Sequence, residues 1–391
     1  MNEHKLHQTI FQNIFERPGR LSFLIGSGCS VCAGYPMMPE LTERVINQLG
    51  DADKEIILRV RELQGGGRED LLNPRTLHIE SHLSELIDIA SILARRHSLS
   101  ADTPFALSTP LHKEPTDITY NQSITLINKI KSTISTILSE PAGTLKHHTK
   151  FVKCVHQPIR DGKHENRGPV DYYTLNYDPL LEHALSLSSV HYCDGMIGGR
   201  TGYWAPETLT DTYVNTPQAR LFKLHGSIDW KNDTGKRVPI RLSDPIDHSE
   251  CGIDMSDEVL IYPASTKYKE TQQDPFAFLF DKFRRNLSKQ GPHTVFIMGY
   301  SFGDDHVNRV LNDCITYSQS SDLLFIVLSG DDPLPAQLDS WTKNPITSQR
   351  ILLINKNTVF SKDSEINSKY INTLFKFEDF SEILHAGAIS T

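Results

Sequence analysis

Polar and glycine residues recur at the ends of short apolar runs along this 391-residue chain, and these are the groups able to do chemistry. After LSFLI (21–25) comes GSGCSVCAG (26–34), in which Gly26, Ser27, Gly28 and Ser30 form a tight turn before a helical pattern, PELTERVINQLG (39–50). Gly26 and Gly28 let the backbone turn sharply. The free N–H groups and positive dipole end of a following helix then suit a dinucleotide pyrophosphate. TLNYD (174–178) puts Asn176 and Asp178 at the end of another apolar run. An amide there offers donors and an acceptor to orient a water or a ribose hydroxyl. The alternative is that Asn176 and Asp178 cap the next segment, PLLEHAL. KLHGSIDW (223–230) carries His225 before Gly226. A neutral imidazole takes up a proton near pH 7 and the glycine leaves room for a substrate, while a satisfied structural histidine is the alternative. GYSFGDD (299–305) places Gly299 and Ser301 where a small residue and a hydroxyl approach a ribose or phosphate, and ILLINKN (351–357) puts Asn355 at a further strand end. Each of these two is also an ordinary strand-to-loop turn.

The elements that must position these groups follow from periodicity. The first is a strand, a tight loop and a helix. From about 51 to 156 the pattern is helical and amphipathic, clearest in IESHLSELIDIASILARR (79–96) and ITLINKIKSTISTIL (124–138), and reads as a helical insertion. The polar stretch between them, 98–117, reads as a loop. Strand-like runs return in VDYYTLNYD, ARLFKLHGSIDW, EVLIYPAS, HTVFIMGYSFGDD, DLLFIVLSGDD and SQRILLINKNTV, several followed by helical segments. Buried runs interleaved with helices predict an α/β fold: a Rossmann-like, doubly wound, mostly parallel sheet with a large helical insertion. Residues 231–257, rich in Pro, Gly and Asp, read as a polar loop excursion, and the whole of 1–391 as one domain.

A formal charge of −8, from 40 basic and 48 acidic side chains, gives no global field toward phosphate backbones or anionic membranes, so direct binding of nucleic acid is not expected. The longest apolar stretches are strand-sized, far short of the roughly 20 residues that span a bilayer, so no membrane insertion is expected. The start, MNEHKLHQTIFQNIFERPGR, lacks a basic tip and apolar run, and a cytoplasmic location is expected. Six scattered cysteines do not resemble a secreted disulfide framework. Cys29 and Cys32 make a C-x-x-C with no second pair to complete four zinc ligands, and no metal is expected.

Taken in order, these motifs resemble the sirtuin family. GSGCSVCAGYP is similar to its glycine-alanine-glycine loop with a trailing A-G-x-P, matched by Ala33, Gly34 and Pro36. TLNYD resembles its T-Q-N-x-D motif, HGS its histidine-glycine motif, GYS its G-T-S motif and LIN its ribose-binding strand end. The resemblance implies NAD as substrate. Gly26, Ser27, Gly28, Ser30, Pro36, Gly299, Ser301 and Asn355 would hold it, His225 would act as base, Asn176 would position the ribose or water, and Asp178 would support the nicotinamide end. Two departures matter. The zinc ribbon of the deacylases is absent, and Met37 and Met38 stand where they carry Phe-Arg, which argues against an acyl-lysine peptide. The helical insertion, IESHLS (79–84), NYDPLLE (176–182), DGMIGG (194–199) and IYPASTKY (261–268) instead resemble the sirtuin-like NAD hydrolases of bacterial anti-phage systems. That group depletes NAD in the infected cell. A chain of this length looks most like its members that pair with a HerA-type hexameric ATPase, which implies a homo-oligomer with that partner. A non-catalytic sensor of NAD or an ADP-ribose derivative, from another class, uses the same loop, and a protein deacylase is the third reading.

Overall fold

The computed structural model describes residues 3–17, 19–64, 78–97, 104–107, 116–140, 143–160, 168–233, 238–242, 258–260, 274–318, 322–356, 358–361, 364–367 and 373–390. The IYPASTKY segment and all of 243–257 lie outside them. The chain divides into two compact units, one of 1–35, 142–224 and 278–391, the other of 36–141 and 225–277.

The first unit is built on a sheet of nine strands among the described residues. In chain order they are β1 (Arg20–Ile25), β2 (Val170–Thr174), β3 (Tyr192–Cys193), β4 (Ala219–Lys223), β5 (His293–Met298), β6 (Leu323–Ser329), β7 (Ile351–Asn355), β8 (Thr358–Ser361) and β9 (Ser364–Asn367). Their spatial order is β9-β8-β7-β6-β5-β1-β2-β4-β3. β3 through β7 run parallel, and only the β8–β9 ribbon is antiparallel. This is the α/β, mostly parallel, Rossmann-like architecture that the interleaved runs predict.

The strands are apolar without alternation because helices cover both faces. On one face Phe23 of β1 stacks between its register partners Tyr172 and Phe296, at centroid distances of 5.3 and 5.2 Å, and meets Phe151 of helix Lys146–Arg160 edge-on at 5.1 Å. On the other, Tyr173 lies 4.8 Å from Phe222 and 4.7 Å from Phe283 of helix Phe276–Ser288. β1 is central. The chain moves from it to β2 on one side and later to β5 on the other, so the strand order reverses at β1.

The second unit holds helices Met38–Gln48, Asp51–Leu63, Ile79–His97 and Tyr120–Leu138. The last starts in a capping box. Thr119 Oγ1 accepts from the Gln122 amide while the Gln122 side chain accepts from the Thr119 amide. Three sequence expectations change here. The stretch 98–117, read as a loop, contains Phe105–Leu107 paired antiparallel with Thr116–Ile118. The excursion 231–257 carries strand Val238–Leu242, paired with Gly226–Asp233. Helix Lys146–Arg160, placed in the insertion by its periodicity, belongs to the sheet-bearing unit, since an amphipathic stripe covers a sheet as readily as another helix.

ARLFKLHGSIDW, read as one apolar run, is two strands. β4 ends at Lys223, a turn takes Leu224 and His225, and Gly226, at φ +85°, starts a strand of the other unit.

His293, at the start of β5, is buried against Ser22, with its Nε2 2.8 Å from Ser22 Oγ. Burial, reinforced by Arg20, Arg17 and Lys289, pushes its pKa down to about 3. The folded state therefore keeps it neutral while the unfolded chain protonates below about 6.5. Its contribution to stability is full above that pH and is lost progressively toward pH 3. At pH 4.5, His293→Asn is expected to recover about 3 kcal/mol relative to its own deficit at pH 7. Denaturant unfolding of both proteins at the two pH values checks this, and parallel pH dependences would refute it.

Candidate functional site

The loops leaving β1 and β5 pass each other backbone against backbone, at the point where strand order reverses. The Gly26 amide donates to the Met298 carbonyl at 2.9 Å and the Gly28 amide to the Gly299 carbonyl at 3.0 Å. A Cβ on Gly26 would sit 2.3 Å from the Gly299 oxygen. One on Gly299, itself at φ +61°, would sit 2.5 Å from the Cys29 nitrogen. Only glycine fits on either side of this crossing.

That revises the reason for the glycines. The two glycine amides bond to carbonyls and are not turned to a phosphate. No α-helix follows directly either: Ser27–Cys29 and Val31–Ala33 are single 3-10 turns, and the first α-helix starts at Met38, in the other unit. The helix-dipole part of the phosphate argument therefore does not hold at residues 26–30.

A buried polar cluster hangs below the crossing. The Asn176 side-chain amide donates to the Gly26 carbonyl at 3.1 Å and to Ser30 Oγ at 2.9 Å. The Ser30 hydroxyl in turn donates to Asp178 Oδ2 at 2.8 Å. Asp178 Oδ1 accepts the Leu180 amide at 3.1 Å, so Asp178 does cap helix Leu180–Leu187 as well as joining the cluster. Thr174, the last residue of β2, ties the loop to β1 by donating its hydroxyl to the Ile25 carbonyl and accepting the Asn176 amide. Asn176 and Asp178 are 9% and 8% exposed, yet Asn176 Oδ1 has no hydrogen-bond partner among the described residues. Burial pushes the Asp178 carboxyl up, opposed by the Lys223 charge and by the hydrogen bonds from Ser30 and Leu180.

The structure thus brings Gly26, Gly28, Ser30, Asn176, Asp178 and Gly299 into one contiguous set. Ser27 and Ser301 are exposed on the two crossing loops. Asn355 ends β7, three strands along from β1, roughly 14 Å at normal strand spacing. Its Oδ1 accepts the Lys356 amide. Pro36 and His225 belong to the other unit, where His225 is buried in the turn after β4. Residues missed from the sequence include Lys223 and Glu182, which bond beneath the Asn176 loop, and Tyr300, whose hydroxyl donates to Asn308 Oδ1 at 2.8 Å and braces the loop carrying Ser301. A charge at position 223 inside the apolar run ARLFKL was the available signal for the first.

Burial pushes both C-x-x-C thiols up, Cys32 to about 12 and Cys29 well above its usual range, so neither is a thiolate at neutral pH. No group of three or more His, Cys, Asp or Glu gathers as a metal site among the described residues.

A parallel sheet with polar groups at the carboxyl ends of its central strands, at a reversal of strand order, defines an α/β protein of the kind that takes ligands in that crevice. Comparison with known proteins is more specific. Residues 170–347 match the family described as the SIR2-like domain. The solved ADP-ribose complex of a point mutant of a Sir2 homologue is similar over 100% of this chain and 97% of that one, at 12% identity and a TM-score of 0.44. No curated protein matches the chain.

Ser30 is the shared partner of both polar side chains. Ser30→Ala leaves a buried Asn176 donor and a buried Asp178 acceptor unsatisfied and is expected to cost about 1–3 kcal/mol in chemical denaturation. A loss below a few tenths of a kcal/mol would mean that the cluster is not formed as described.

Proposed function

We propose that this chain binds NAD at the carboxyl ends of β1, β2 and β5 and hydrolyses its nicotinamide–ribose bond, water and NAD giving nicotinamide, ADP-ribose and a proton. The observation that carries this reading is Asn176 Oδ1: a buried acceptor without a hydrogen-bond partner among the described residues, while its own Nδ2, the Ser30 hydroxyl and Asp178 Oδ2 beside it are bonded. Such an atom is costly unless a ligand hydroxyl or a water donates to it. The SIR2-like match over 170–347 supports NAD as that ligand, and it includes Asn176, Asp178, His225, Gly299 and Ser301.

In this reading Asn176 orients the ribose or the attacking water, and Asp178, held by Ser30 and the Leu180 amide, supports the nicotinamide end. His225 takes the proton from a ribose hydroxyl or the water. The loop 26–30 with Pro36, Gly299, Ser301 and Asn355 holds the dinucleotide, with the exposed residues Ser27 and Ser301 on the crossing loops offering hydroxyls to it. The wider role is depletion of NAD in the bacterial cytoplasm as an anti-phage effector, in a homo-oligomer working with a HerA-type hexameric ATPase. Support for that role is the resemblance of the insertion and of IESHLS, NYDPLLE and DGMIGG. Among the described residues no helix is long and apolar enough to cross a membrane.

Chromatography of NAD incubated with the protein, alone and with an ATPase partner, tests the chemistry. Nicotinamide release is expected to fall about 10²–10⁴-fold in His225→Ala and on the order of 10²-fold in Asn176→Ala, with binding affected less than turnover. Wild-type rates in both folded variants would place the site elsewhere, and NAD bound without nicotinamide release would make the chain a sensor. Light scattering at micromolar concentration is expected to report a homo-oligomer, and a monomer both alone and with the ATPase would rule the assembly out.

A further inference from the structure

Lys223 is the last residue of β4 and is fully buried. Its ammonium donates to the Asp178 carbonyl at 2.8 Å, to the Tyr177 carbonyl at 3.4 Å and to Glu182 Oε1 at 2.8 Å. Three donors meet three acceptors. Glu182 lies in the first turn of helix Leu180–Leu187, so one cation joins a strand end, a loop and a helix start. Residue 178 is consequently gripped at three atoms: its carbonyl by Lys223, Oδ2 by Ser30 and Oδ1 by the Leu180 amide.

A buried ion pair is a poor way to gain stability, because both charges lose their hydration and an apolar pair of similar volume often serves as well. What a lysine does that a methionine does not is draw two consecutive carbonyls to one point. That sets the course of the backbone through 176–178 from beneath, while Ser30 and Gly26 hold its side chains from above. We infer that Lys223, with Glu182 as its counter-ion, is a positioning residue for the loop that presents Asn176 and Asp178. The inference rests on the reading of those two residues as part of the NAD site.

The test replaces both charges in the full-length protein, Lys223→Met with Glu182→Leu, so that neither is left buried alone. The double variant is expected to melt near the wild-type temperature. The amides of Asn176 and Leu180, whose bonds report the loop's shape, are expected to exchange with solvent at least about 10-fold faster, with kcat for NAD cleavage down on the order of 10²-fold and KM little changed. A purely structural pair would lower the melting temperature and leave local exchange and kcat of the folded protein unchanged, and that result would overturn the inference. If the double variant does not fold, Lys223→Met alone carries the test, since the Glu182 side chain left behind is 12% exposed where that of Lys223 is fully buried: about 10-fold lower kcat and faster exchange at the same two amides support the inference, and wild-type values overturn it. A wild-type protein that releases no nicotinamide would remove the functional reading, and exchange at Asn176 and Leu180 would then decide the positioning role by itself.

Discussion

Where β1 and β5 leave the sheet side by side, their loops cross with no space for a side chain on either backbone. Gly26 and Gly28 on one loop and Gly299 on the other are what permit the contact, and the two glycine amides bond it shut. Everything at this end of the sheet inherits that geometry. The Gly26 carbonyl faces Asn176 because the turn is this tight, and the 3-10 turn after it delivers the Ser30 hydroxyl to Asp178. A wider turn would part β1 from the polar residues of β2.

The cluster beneath the crossing is polar matter in a dry place. Ser30 relays between an amide and a carboxylate, and a buried lysine holds the carbonyls below them. Low local dielectric makes each bond stronger and each missing bond more costly, so a network of this kind settles on one arrangement. Among the described residues two buried oxygens of this arrangement lack a hydrogen-bond partner, Asn176 Oδ1 and, beside the lysine, Glu182 Oε2. Asp178 shows the tension in the same terms: burial resists its charge while Lys223, Ser30 and Leu180 favour it.

The apolar runs were legible because a parallel sheet covered on both faces leaves no solvent side, and LSFLI, VDYYT, HTVFIM, LLFIVLS and ILLIN carry that requirement in their composition. Asn176 and Asp178 stood out as polar residues at the end of one such run. Lys223 did not, because its meaning lies in carbonyls 45 and 46 positions away in the chain. The helical stretches were equally plain, but a stripe at 3.6-residue spacing does not name its partner. Helix Lys146–Arg160 therefore passed for part of the insertion, although its Phe151 packs on Phe23 of the central strand.

By itself, then, the sequence determined the class of fold, the order of strands along the chain and the residue types at their ends, since these follow from local periodicity and from which side chains tolerate burial. Only the tertiary structure decided why the glycines are glycines, that Ser30 is shared between Asn176 and Asp178, that β1 lies between β2 and β5, and that one apparent strand breaks at Leu224 into two units. Those outcomes depend on backbones from distant parts of the chain meeting at van der Waals distance. Such distances are set by the packing of the whole sheet and leave no local mark in a string of residues.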